Sequence, residues 1–216
     1  MSPIFGLHLT CQVYLRKFNL IMNMPNKLTL SRIILAPIFM SFFVVDNAYS
    51  RIFGFVIYVV AAMTDLFDGH YARKYGIVTG FGKFMDPLAD KILVSAAFIG
   101  LVALGYARAW MIVLIIARDF YITGLRSLAA YKGTVIPASN IAKLKTVMQM
   151  TVITFMMLII TLESVFQIYD SPLITLLDFN KQLVYDIMLG VVTAITVYTG
   201  LDYTIKYYNM IKNVLR

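Results

Sequence analysis

The stretch Asp65-Leu66-Phe67-Asp68-Gly69-His70-Tyr71-Ala72-Arg73 is followed, after eight residues, by Gly82-Lys83-Phe84-Met85-Asp86-Pro87-Leu88-Ala89-Asp90. Together these segments hold four of the eleven acidic residues in a mostly apolar chain. Asp65 and Asp68 are three apart and Asp86 and Asp90 four apart, so each pair shares one helical face. Gly69 and Ala72 accompany the first pair, and Gly82 lies one turn before Asp86. Carboxylates next to small residues suggest a site for a hard cation that a bulky ligand can approach closely.

The surroundings of this window are those of a lipid-embedded chain. Of 216 residues, 60% are hydrophobic and 14% charged, against about 25% charged in ordinary soluble domains. The net charge of +8 suits an anionic membrane surface, because cytoplasmic loops collect Lys and Arg; nucleic acid is not expected as a partner. The single cysteine, Cys11, excludes an intrachain disulfide and a Cys-rich zinc site. The presence of only His8 and His70 argues against a His-built metal centre too.

Apolar runs predict an all-α integral membrane protein with six transmembrane helices and an N-terminal interfacial segment. The spans are expected at 33–45, 52–64, 82–104, 109–131, 141–162 and 183–207, the second running directly into the acidic window. Residues 1–23 read as an extension or an upstream start, since Arg16 and Lys17 follow rather than precede their apolar run. The segment from Met24 to Arg32 is polar enough to lie at the membrane surface. Gly76, Gly80 and Gly82 mark a turn between spans two and three, and Lys132 to Asn140 reads as a loop. An even span count puts both termini on one side, together with Lys27, Arg73, Lys91, Arg118, Arg126, Lys143 and Lys145. Arg51, Arg108 and Lys181 fall on the other side. The positive-inside rule then places the acidic window at the cytoplasmic face of a multi-pass inner-membrane protein.

Acids at membrane depth need a partner or a cation. Four neighbouring carboxylates cannot all stay ionised beside Arg73 alone. Two divalent cations supply the missing charge, and all-oxygen ligation favours magnesium, manganese or calcium over zinc. A two-metal clamp suits phosphoryl-type displacement, and a carboxylate at its edge can serve as general base towards an alcohol. Any one of these aspartates read singly is an ordinary surface ion pair; only their combination points to metal.

The pattern Asp65-x-x-Asp68-Gly69-x-x-Ala72-Arg73, eight residues, Gly82-x-x-x-Asp86-x-x-x-Asp90 resembles the signature of the CDP-alcohol phosphatidyltransferases without gap or substitution. These are six-helix membrane enzymes that move a phosphatidyl group from a CDP-lipid to an alcohol and release CMP. The resemblance spans Met24 to the C-terminus, so residues 24–216 are expected to form the enzyme domain. It implies that Asp65, Asp68, Asp86 and Asp90 ligate two divalent cations, Mg2+ or Mn2+, and that Asp90 is also the catalytic base. Gly69, Arg73 and Gly82 are implied to contact the cytidine diphosphate, and a homodimer is implied by resemblance alone.

The flanks address the acceptor. Pro25-Asn26-x-Leu28-Thr29-x-x-Arg32 is similar to a segment that helps close the nucleotide pocket in the bacterial phosphatidylglycerophosphate synthases, which puts Pro25, Asn26 and Thr29 with the CDP-lipid. Read without that likeness, Asn26 or Thr29 is a helix cap and Arg32 an interfacial anchor. Arg118-Asp119-x-x-x-Thr123-Gly124-Leu125-Arg126 and Ala142-Lys143-x-Lys145-Thr146 resemble the same subfamily, with Asp119 where Glu is usual and Ala142 where Gly is usual. Arg118 and Arg126, eight apart, lie within about 80° of each other on a helix. With Lys143 they make a dianion site, which fits glycerol 3-phosphate and not free inositol, serine or choline. The competing account is positive-inside anchoring of cytoplasmic helix ends, which weighs more for Lys145 than for Arg118 or Arg126.

The expected reaction therefore joins CDP-diacylglycerol and glycerol 3-phosphate. Inositol phosphate or phosphatidylglycerol as acceptor is the alternative within the family. A cation-coupled transporter is the alternative from another class, but it predicts acids at mid-span, whereas these sit at span ends around a glycine turn. Metal-dependent prenyl transfer packs its aspartates more densely and lacks the Gly-x-x-Ala-Arg element.

Overall fold

The computed structural model describes residues 24–75, 80–131, 133, 136, 137, 139–169 and 180–208. Side chains at 24–28, 65–75, 80–87 and 131 lie outside that description. The described residues form helices and no strands: α1 (Met24–Val44), α2 (Ala48–Tyr75), α3 (Gly80–Ala103), α4 (Ala109–Tyr131), α5 (Asn140–Ile168) and α6 (Lys181–Lys206). The all-α expectation holds, and the acidic window spans the end of α2 and the start of α3.

Local chemistry explains most boundaries. The Asn47 side chain accepts from the Tyr49 amide at 2.9 Å, which starts α2 sooner than the apolar run alone suggests. Gly105, at φ 78°, ends α3: its amide bonds Val102 O at 2.9 Å and the Tyr106 amide bonds Leu101 O at 3.0 Å. This paired closure needs the left-handed conformation that glycine adopts without penalty. Ser139 and Asn180 cap α5 and α6 by accepting from the Ala142 and Leu183 amides. At the N-terminus, the polar segment 24–32 forms the opening turns of α1, continuous with the first apolar run.

The helices α5 and α6 are each long and apolar enough to cross a membrane. Shorter apolar helical stretches run over Thr29–Val44 and Ala48–Thr64. Large apolar side chains on several helices, such as Val60, Val113, Val147, Ile187 and Leu201, face outward. The chain thus has the inside and outside of a lipid-embedded bundle. Since lipid is as apolar as a side-chain core, association must come from close packing and polar contacts rather than from hydrophobic transfer.

Close packing is visible between α1 and α2. A Cβ at Gly54 would stand 2.8 Å from Phe43 N and 2.9 Å from Phe39 O, so the two backbones touch there. Phe39 and Tyr58 then meet as a tilted ring pair, centroids 5.5 Å apart and planes at 55°, in a core continued by Phe98, Ile115, Ile153, Met156 and Leu189. Next to α1 and α2, α3 packs on α1 and α4, α4 on α6, and α5 on both α2 and α6.

One end of the bundle is tied by ions. Arg51 bonds Asp46 at 2.9 Å and Ser164 at 2.6 Å, joining α2 to α5. Lys181 pairs with Glu163, joining α6 to α5. Arg108, just before α4, grips Asp186 of α6 through Nε and Nη2, the latter at 2.6 Å; that bond holds the guanidinium pKa above its ordinary value. The other end holds the acidic window and the basic side chains of α4 and α5.

Because the obstruction at Gly54 is backbone, Gly54→Ala is expected to cost about 1–3 kcal/mol by overpacking. Gly190, with open space where a Cβ would go, should instead gain up to about 1 kcal/mol as Ala from helix propensity. Thermal unfolding of the purified variants in detergent compares the two; equal effects would contradict the α1–α2 backbone contact.

Candidate active site

Asp90 is the one window aspartate whose side chain is described. It lies on α3, half-buried, with the neighbouring Lys91 ammonium 3.3 Å from its carboxylate. The side chains of Asp65, Asp68 and Asp86 lie outside the described residues, as do Pro25, Asn26, Gly69, Arg73 and Gly82 beyond their helical backbone. Among the described residues no three His, Cys, Asp or Glu side chains gather around a common point. The fit to metal therefore rests on the donor chemistry. The backbone is helical through 65–75 and from Gly80 through Asp90, so Asp65/Asp68 and Asp86/Asp90 keep their spacing on two successive helices. All four donors are carboxylates, which suits a hard divalent cation.

Thr29 is almost fully buried in α1, and Arg32, one turn on, is equally buried. The latter departs from the anchor reading, in which a guanidinium snorkels to the interface. Both residues have interactions within the fold.

Across from the window, α4 carries Arg118 and Asp119 towards α5 and α6. Lys145 Nζ lies 2.5 Å from Asp119 Oδ1, and Arg118 Nη1 lies 3.1 Å from the same oxygen. The Lys145 and Asp119 side chains are 1% and 5% exposed, so the carboxylate sits between two cations with almost no water. Arg118 Nη2 donates to Thr199 Oγ1 on α6 at 3.0 Å. That hydroxyl in turn bonds the carbonyls of Ile195 and Thr196, which fixes its direction. A Cβ at Gly200 would come within 3.1 Å of Arg118 Cγ, so the glycine lets the arginine stem lie flat on α6. Lys91, next to Asp90 on α3, acts electrostatically on both Asp119 and Lys145.

Two other expected acceptor residues stand apart from this cluster. Arg126 is exposed, and its Nε donates to Ile136 O at 3.3 Å in the α4–α5 connection. Lys143 is exposed on the first turn of α5. That connection is pinned to α6 by Tyr203, whose hydroxyl donates to Pro137 O at 2.9 Å and accepts from the Ser139 amide at 2.8 Å. An open cavity of about 280 Å³ lies there, lined by Ser139, Asn140, Asp202, Tyr203 and Lys206.

Sequence alone places Lys145 in a family-like stretch without a role of its own, and it gives Thr199 no role. A signal for Lys145 is nevertheless present. Lys145, Gln149, Val152 and Met156 recur at the spacing of the buried face of α5, whereas Lys143 is two residues off that face. Nothing local marks Thr199, because its partner is 81 residues away.

Comparison with known proteins adds the rest. Residues 22–198 match the family model described as CDP-alcohol phosphatidyltransferase. The chain is similar to a CDP-diacylglycerol--glycerol-3-phosphate 3-phosphatidyltransferase of Bacillus subtilis, 38% identical over 202 residues, covering 88% of this chain and 97% of the relative. A protein of the same name from Rickettsia typhi is 38% identical over 84% of this chain and 94% of its own. A probable phosphatidylglycerophosphate synthase of Mycobacterium tuberculosis is 43% identical over 132 residues, which is 60% of this chain and 63% of that one.

The geometry at Tyr203 generates a local test. Tyr203→Phe removes one donor and one acceptor and leaves the Ser139 amide and the Pro137 carbonyl short of a partner, at about 1–3 kcal/mol. Hydrogen exchange at Ser139 should accelerate while exchange in the middle of α5 stays slow; an unchanged Ser139 amide would remove Tyr203 as the pin.

Proposed function

Since the chain belongs to the CDP-alcohol phosphatidyltransferase family, we propose that it transfers the phosphatidyl group of CDP-diacylglycerol to sn-glycerol 3-phosphate, giving phosphatidylglycerol phosphate and CMP in phospholipid biosynthesis. The observation that carries this reading is the likeness, over nearly the whole chain, to enzymes named for that reaction. The basic side chains Arg118, Arg126 and Lys143, the last two exposed, support a phosphorylated acceptor.

The catalytic domain is residues 24–216, set in the inner membrane with the acidic window at the cytoplasmic face. The excess of Lys and Arg at that end supports this orientation. Family resemblance supports a homodimer.

Asp65, Asp68, Asp86 and Asp90 would hold two divalent cations, Mg2+ or Mn2+. Bound there, the cations supply charge screening for the pyrophosphate and for departing CMP. The chain does the rest. Pro25, Asn26, Thr29, Gly69, Arg73 and Gly82 hold the cytidine diphosphate, the glycines by letting it lie against backbone. Arg118, Arg126 and Lys143 take the phosphate of glycerol 3-phosphate and present its C1 hydroxyl. Asp90 accepts the hydroxyl proton while the oxygen attacks the β-phosphorus. The bond from that phosphorus to the bridging oxygen breaks, and the electron pair leaves with CMP.

The test is CMP release from labelled CDP-diacylglycerol by the purified protein. Release is expected with glycerol 3-phosphate and not with inositol phosphate or phosphatidylglycerol. It should stop on chelation and return with Mg2+ or Mn2+. Asp90→Asn should lose about 10²–10⁴-fold in kcat, the range for removing a general base. Retained turnover in Asp90→Ala with Mg2+ present would sink the base assignment, and release with another acceptor alone would sink the substrate.

A further inference from the structure

The cations on the acceptor side of the proposed site are not equivalent. Lys143 and Arg126 are exposed and can meet a soluble phosphate. Lys145 cannot: its side chain is 1% exposed and its ammonium lies against Asp119 Oδ1 at 2.5 Å, so a soluble phosphate has no open path to it.

The same carboxylate oxygen receives Arg118 Nη1 at 3.1 Å. Arg118 is held at two further points, Nη2 on Thr199 Oγ1 at 3.0 Å and the stem against Gly200. Its Nε is buried and has no partner among the described residues. The guanidinium is therefore fixed in one plane by α4, α5 and α6 together, with donor capacity left over. A flexible arginine loses rotamer entropy when it binds; one already immobilised does not.

We propose that Lys145 and Asp119 are positioning residues, a buried ion pair that sets the plane of the Arg118 guanidinium for the acceptor phosphate and does not itself touch that phosphate. This rests on the reading of glycerol 3-phosphate as acceptor. Thr199 is the third fixed point of the same device.

A double-mutant cycle on the full-length protein in detergent decides the matter, with KM for glycerol 3-phosphate as the readout. Under positioning, Asp119→Asn raises acceptor KM by roughly tenfold or more, as loss of an orienting partner does. KM for CDP-diacylglycerol shifts far less, a split that general loss of structure would not give. Lys145→Met has a similar effect, and the double variant is no worse than Asp119→Asn alone, because both act through one contact. Direct docking by Lys145 expects the opposite: Asp119→Asn frees the ammonium and leaves acceptor KM unchanged or lower, and the Lys145→Met penalty persists in full when Asp119→Asn is already present. Should Lys145→Met fail to accumulate, Asp119→Asn alone still separates the two outcomes, because it is nearly isosteric. Absence of glycerol 3-phosphate-dependent CMP release in the unsubstituted protein would overturn the function itself, whereas an additive cycle in an active protein overturns only the positioning role.

Discussion

Asp119 shares a single oxygen between Lys145 and Arg118 at a depth where neither its own carboxylate nor the Lys145 ammonium can be hydrated. Each member makes the others tolerable: an isolated ammonium or carboxylate there would have to discharge, and removing one partner of such a pair costs about 3–5 kcal/mol. The arrangement ties three helices at once, since Asp119 and Arg118 come from α4, Lys145 from α5 and Thr199 from α6. Several neighbouring features keep that meeting point in register. Gly200 clears space for the arginine stem, Ser139 starts α5 so that Lys145 falls inward, and Tyr203 holds the preceding connection against α6.

The remaining helices solve a different problem. Where lipid offers no hydrophobic drive, α1 and α2 must gain by touching, and the backbone contact at Gly54 is how they do so. The chain then runs from α2 into α3, which packs on α1 in turn. The acidic window is thus held by tight apolar packing and the basic wall by buried ion pairs.

Much of this is legible in the residues. The window aspartates, the glycine stop at Gly105, the caps at Ser139 and Asn180 and the long apolar runs of α5 and α6 all obey local rules, and helix type and order come from them. Lengths are less legible: α1 absorbs the polar segment from Met24, and α5 continues to Ile168 past the polar Glu163. On the basic side, charge near a helix end reads as anchoring, a rule that cannot distinguish Lys143 from Lys145. Two residues of helical phase separate exposure from burial there, and only the position of Asp119 on another helix says which lysine is enclosed. The Arg118–Thr199 contact has no local trace at all.

At the end away from the window, Arg51 with Asp46 and Ser164, Lys181 with Glu163, and Arg108 with Asp186 cross-link neighbouring helices. Of these, Arg108 on Asp186 has a counterpart further along the same two helices, where Arg118 bonds Thr199. Two bonds ten residues apart along α4, about 15 Å of helix, fix the angle at which α4 and α6 cross as well as their separation.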